Sequence, residues 1–239
     1  MLPLIAGFLV AGPVSGYLSD HFGARPFATG GMVIASSSFV LLMILPVDFS
    51  YLWFALILLV NGIGMGLFSS PNRAGVMNSL PPSQRGVGGG MNATFQNSAS
   101  VLSIGLFFSL MIIGLASSLP STLDHGLLAH GVPAADAARI SHLPPVASLF
   151  AAFLGYNPMQ NLLGPHTLHA LPIAQQHVLT GRSFFPHLIS PPFHTALEYA
   201  FVFATAACMV AAVASLLRGG KYHWSEQTAT DPLSLQEAA

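Results

Sequence analysis

The chain has 239 residues, of which 53% are apolar or aromatic and 6% charged, with a formal net charge of −1. A soluble domain carries about 25% charged residues, so this chain cannot clothe a globular surface in water and calls for an apolar solvent around it. The near-zero charge excludes the basic footprint of a nucleic-acid partner, and a single cysteine, Cys208, excludes an internal disulfide.

Crossing a bilayer takes about 20 apolar residues. Five stretches meet that length: 2–19, 27–46, 51–71, 89–115 and 196–217. None holds Lys, Arg or Asp, and Glu198 lies in the first turn of the last. Lipid cannot satisfy an open backbone, so each is expected to be a helix and the fold class to be an all-α polytopic membrane bundle. The opening MLPLIAGFLVAG has no basic n-region and no clear cleavage site, so it reads as a spanning helix and not a signal peptide. Nothing polar precedes it, which suggests a chain that starts mid-fold.

Between the first two stretches lies GYLSDHFGARP, residues 16–26. The first helix is expected to end near Leu18 and the second to start at Pro26, which suits a first helical position. The link is short, so the two helices should be antiparallel neighbours. Gly23 permits a left-handed residue in the turn, and Gly12 with Gly16 offers a small face for close packing. Asp20 can accept from free backbone N–H groups, and Arg25 can bind helix-terminal carbonyls or pair with an acid. The loop 19–26 thus reads as a stiff charged hinge whose bonds can form in one state of a bundle and break in another.

Further along, Pro71 is expected to end the third stretch. Arg25, Arg73, Arg85, Arg218 and Lys221 fall on one side of the alternating topology, and Arg139 and Arg182 fall in the long loop 116–195. The positive-inside rule makes 19–26, 72–88 and the C-terminus cytoplasmic, in a multi-pass protein of the cell (inner) membrane. Tyr51 and Trp53 fit an interfacial aromatic belt. The proline-rich loop 116–195 is expected to hold short helices, on the outer membrane face or over the bundle. Asn157, Pro158, Gln160 and Asn161 argue against 144–163 as a sixth span. The organisation is then four spans over 1–115, an outer loop over 116–195, a last span over 196–217 and a disordered tail over 218–239.

Gly16-x-Leu18-x-Asp20-His21-x-Gly23-x-Arg25 resembles the G-x-L-x-D-R-x-G-R-R signature of the major facilitator superfamily, with His21 and Ala24 departing from it. Residues 61–97, from NGIGMG through SLPPSQRG to the glycines 88–90, resemble that family's fourth helix, cytoplasmic loop and fifth helix. Ser83 would cap there and Arg85-Gly86 close the loop. Leu58 stands where the family's N-terminal half carries an arginine. The long outer loop and the basic stop LLRGGKYHW are similar to the fourteen-helix drug:proton antiporter branch. The resemblance implies a partial C-terminal half of a major facilitator fold, a multidrug efflux antiporter fragment whose partners are the lipid bilayer, a small amphipathic substrate and the missing N-terminal helices. It implies no cofactor.

Intramembrane polar residues carry the candidate chemistry. Asn92, Gln96 and Ser100 are spaced four apart and share a helix face, which should front the bundle interior or a cavity. Asn61 and Phe95 join them as candidates for lining a substrate cavity, and interhelical hydrogen bonding is the competing use of the polar set. Glu198 is the proton-site candidate. Eight of the ten histidines lie in the outer loop, including His166 and His169, but their irregular spacing and the scarcity of acids give no metal-site pattern. Two other functions remain open at this point: a scaffold that pairs with another helical half, and a histidine-dependent membrane metalloenzyme.

Overall fold

The structure, a computed structural model, describes residues 1–46, 48–146, 151, 154 and 156–217. The tail 218–239, with Arg218 and Lys221, lies outside the described residues, as does part of the run 144–163. Every regular element among the described residues is helical. In chain order these are α1 (Leu2–Phe22), α2 (Ala24–Ile44), α3 (Tyr51–Asn78), a 3₁₀ turn (Pro82–Gln84), α4 (Arg85–Ala129), α5 (Ala134–Ser141), α6 (Met159–Ala170), α7 (Ile173–Thr180) and α8 (Phe184–Leu217). Five of them, α1 to α4 and α8, are long and apolar enough to cross a membrane. They coincide with the five stretches read from sequence, so the chain is an all-α polytopic bundle.

Most of the helices outrun their apolar stretches. Pro71 does not end α3 but sits buried inside it, and the helix continues to Asn78. Proline is tolerated inside membrane helices because neighbouring groups satisfy the carbonyl it frees. Helix α4 runs on past residue 115 and through Pro120, and α8 begins before 196 and runs through Pro191 and Pro192.

The chain divides into two compact units, Met1–Ser103 with Phe201–Ala239, and Ile104–Ala200. In the first unit α3 packs along both α1 and α2, which touch each other little. The expected α1–α2 pairing is thereby corrected, and the reason lies in three glycines. A Cβ on Gly66 would stand 2.9 Å from Phe8 O and 2.9 Å from the Ala11 methyl, and one on Gly62 would strike Leu4 O. A Cβ on Gly64 would stand 2.7 Å from Gly31 O and 2.7 Å from Ala35 N. Gly62 and Gly66 therefore face α1 while Gly64 faces α2. Two residues turn a helix by about 200°, so alternate glycines open opposite sides of α3 to backbone contact. Lipid tails supply no hydrophobic drive between helices, and this close van der Waals approach is what can hold them.

The matching seam on α1 is Gly7, Ala11, Ser15 and Ser19, all buried and spaced four apart. Gly12 and Gly16, expected to form it, are half-buried beside it, with Gly16 facing the Ser70 hydroxyl. Ser15 Oγ donates to Gly66 O at 3.2 Å, across the α1–α3 seam. Helix α2 also meets the C-terminal part of α8. Thr29 Oγ1 donates to Ser215 Oγ at 3.0 Å, Ser36 Oγ donates to Thr205 O at 3.4 Å, and Phe39 stacks on Phe201.

The second unit has its own core. Met111, Leu115, Leu119, Leu123 and Leu127 form a four-residue-spaced stripe on α4, packed with Phe185, Ile189, Ala196 and Ala200 of α8 and with Ile140, Met159, Leu168 and Leu179 of the short helices. Asn157 ties the entry of α6 to the exit of α7. Its Nδ2 donates to Leu179 O and Gly181 O, each at 2.8 Å, and its Oδ1 accepts from Met159 N at 3.0 Å. Asp136 on α5 accepts from Thr167 Oγ1 at 2.8 Å and from Arg139 Nη2 at 3.1 Å, and Arg139 also donates to Leu162 O at 3.1 Å. The Thr167 hydrogen bond first, then that of Arg139, holds the Asp136 carboxyl below the usual aspartate range.

Candidate functional site

The signature residues meet at the α1–α2 joint. Helix α1 carries through Asp20 to Phe22 and α2 starts at Ala24, so the expected seven-residue link is one residue, Gly23, at φ 89° and ψ 155°. That conformation belongs to glycine. Gly23 N donates to Ser19 O at 2.8 Å and closes the last turn of α1. Pro26 consequently sits inside α2 and not at its first position. Leu18 is half-buried, and Asp20 and Arg25 are exposed. The two ion pairs among the described residues, Arg139–Asp136 and His194–Glu198, do not involve them.

Asn61 is buried at the α2–α3 contact, where its Nδ2 donates to Ser38 Oγ at 2.6 Å and Ser38 Oγ donates on to Ala35 O at 2.7 Å. This chain of bonds lies on the Gly64 side of α3.

Asn92, Gln96 and Ser100 lie on one face of α4, as their spacing requires, with Asn92 half-buried and the other two exposed. From 93 to 109 every residue of α4 is exposed, Phe95 at 69% and Leu102 at 74%. The part of this apolar segment in the first unit, 93–103, is open on all sides and has room for lipid, solute or further helices against it. Sequence reasoning passed over one neighbour of this stripe. Arg73, read only as an orienting charge, reaches across from α3 and donates from Nη2 to Gln96 Oε1 at 3.4 Å. The sequence placed Arg73 just beyond the span 51–71, and only the continuation of α3 to Asn78 sets it on the helix, five residues before its end. Arg85 Nε donates to Leu80 O at 3.4 Å and closes the turn into α4.

Glu198 lies in the second unit, half-buried, with Nδ1 of His194 3.4 Å from its Oε1, one helical turn away. No group of three or more His, Cys, Asp or Glu side chains that could hold a metal occurs among the described residues. His169 and His177 share an open cleft of about 410 Å³ between α6 and α7, with Gln160, Asn161 and Gln176.

These features define a class, a multi-pass helical membrane protein with glycine-seamed helices and a polar stripe on an open helix. Residues 1–104, which span α1 to α3 and the first part of α4, match the family model of the Major Facilitator Superfamily. The chain is 30% identical over 116 residues to the riboflavin transporter RibZ of Clostridioides difficile, a match that covers 45% of this chain and 25% of the relative. It is 31% identical over 96 residues to the uncharacterized MFS-type transporter YhcA of Bacillus subtilis, covering 40% of this chain and 18% of the relative. The match thus spans a quarter or less of the length of each. No solved structure matches the chain.

Proposed function

We propose that this polypeptide is one wall of a secondary transporter, a proton-coupled exporter of amphipathic small molecules of the drug-efflux type, which works by alternating access against a complementary set of helices. Transport, and not catalysis, is the reading. The observation that carries it is the contrast within one unit. Helices α1 to α3 are locked by backbone contact, while α4 stands open over 93–103 and bears a polar stripe. In transporters built from repeats, the substrate site lies where two such halves face each other, and the open stripe supplies one side of such a site. The joint at Gly23, with Asp20 and Arg25 exposed beside it, would face the cytoplasm. The C-terminus would lie on that side too, in the inner membrane. Similarity to a riboflavin transporter adds planar heteroaromatic solutes to the candidate substrates. Glu198, paired with His194, is the residue to test for proton coupling.

The test is reconstitution. Proteoliposomes holding this chain alone should show no solute-dependent proton flux, whereas co-reconstitution with the N-terminal helices of the riboflavin-transporter relative should restore it. Flux from the chain alone would overturn the one-wall reading, and absence of flux from the paired chains would overturn transport.

A further inference from the structure

Arg73 and Gln96 form a pair whose chemistry points in one direction. A guanidinium has five N–H donors and no acceptor, while a glutamine amide has one face of each kind. Because Gln96 Oε1 accepts from Arg73 Nη2, the NH₂ of Gln96 is turned away from the guanidinium. The amide oxygen is turned to the cation, and N–H donors of both side chains are left to face a third group. Ser100 strengthens this bias. Its hydroxyl proton is spent on Gln96 O, at 2.9 Å, so the backbone acceptor beside the amide is occupied as well. Both partners are exposed, on the stripe that runs along the open part of α4.

We infer that Arg73 and Gln96 are a recognition element for the anionic or acceptor-rich edge of a solute, with the apolar surface around Met91 and Phe95 receiving its planar body. This deepens the transport reading and rests on it for placing the solute on this face. A charged residue retained in a spanning helix is a functional candidate when a partner can be named for it, and here the partner is itself oriented by the charge. The guanidinium charge and the N–H donors of both side chains disfavour a cation on this face. The Arg73–Gln96 contact at 3.4 Å is long for a charge-assisted bond, so a carboxylate or phosphate oxygen that takes shorter bonds from both side chains would be preferred to it.

Two dyes with one xanthene skeleton and opposite charge test this: anionic fluorescein and cationic rhodamine 6G. Each is titrated by fluorescence anisotropy against the full chain in nanodiscs of zwitterionic phosphatidylcholine. Fluorescein should bind at least about tenfold tighter than rhodamine 6G, R73Q should remove that preference, and R73K should keep most of it. Q96L, which leaves the cation in place, should weaken fluorescein severalfold. Equal affinities for the two dyes, or a preference that survives R73Q, would overturn the inference and leave Arg73 an interfacial anchor. Binding is read without transport, so failure of the reconstitution with a charge preference intact would remove only the transport reading.

Discussion

Replacing Gly64 by alanine tests the packing argument at the seam between α2 and α3. The new Cβ would stand 2.7 Å from Gly31 O and 2.7 Å from Ala35 N, both backbone atoms that cannot rotate away. Restoring an ordinary contact of 3.4 Å requires α2 and α3 to separate by about 0.7 Å along this seam. A gap of that size forfeits roughly a quarter to a half of the dispersion energy of each atom pair across it, and it stretches the Asn61–Ser38 bond, which starts at 2.6 Å. Overpacking of this kind costs about 1–3 kcal/mol. The assay is unfolding in mixed micelles of rising sodium dodecyl sulfate content, followed by helical circular dichroism. The matched controls are Gly12→Ala and Gly30→Ala, where a Cβ meets nothing within 4 Å. Those should be neutral or up to about 1 kcal/mol stabilising, from helix propensity alone. If Gly64→Ala unfolds within about 0.5 kcal/mol of the controls, backbone contact does not hold α3 to α2 and the reasoning fails.

Two further outcomes concern the second unit. Asn157→Ala removes two donated bonds and one accepted bond, and at about 1 kcal/mol each should cost roughly 2–3 kcal/mol. Amide hydrogen exchange at Met159 should quicken before that of the α4 leucine stripe. Asp136 is held ionised by Thr167 and Arg139, so its folded pKa lies below its unfolded one. The stability it adds is present above the unfolded aspartate value and is lost as pH falls through the lower folded value. Thermal melting from pH 7 to pH 3 should therefore fall more steeply for the parent than for Asp136→Asn, and parallel curves would refute a stabilising role for the Asp136 carboxylate.

The membrane spans were legible because lipid forces helix on any sufficiently long apolar run, and the five runs map onto α1 to α4 and α8. Their ends were not. Hydropathy drops at Asn72 and again at Ser117, but hydrogen bonding continues along α3 and α4, and Pro71 and Pro120 are absorbed because helix neighbours and lipid leave the chain no better conformation. The order of packing was also hidden. Uniformly apolar helices present no amphipathic face, so only small residues mark the seams, and on α1 two such sets compete: Gly12 with Gly16, and Gly7 with Ala11, Ser15 and Ser19. The second won because it matches Gly62 and Gly66 in register. Among polar residues, the stripe of Asn92, Gln96 and Ser100 could be read from spacing, since a helix fixes which residues share a face. The partners of Asn61 and Gln96 could not, because Ser38 and Arg73 lie 23 residues away in each case and come near only when α3 is placed.

The alternating glycines of α3 carry a mechanical consequence. A helix gripped on two opposite flanks at backbone distance cannot spin about its own axis without driving its teeth into both neighbours, and the single-residue tether at Gly23 denies those neighbours the slack to yield. Whatever tilts one of these three rods must tilt all of them, so the trio transmits force as a solid lever.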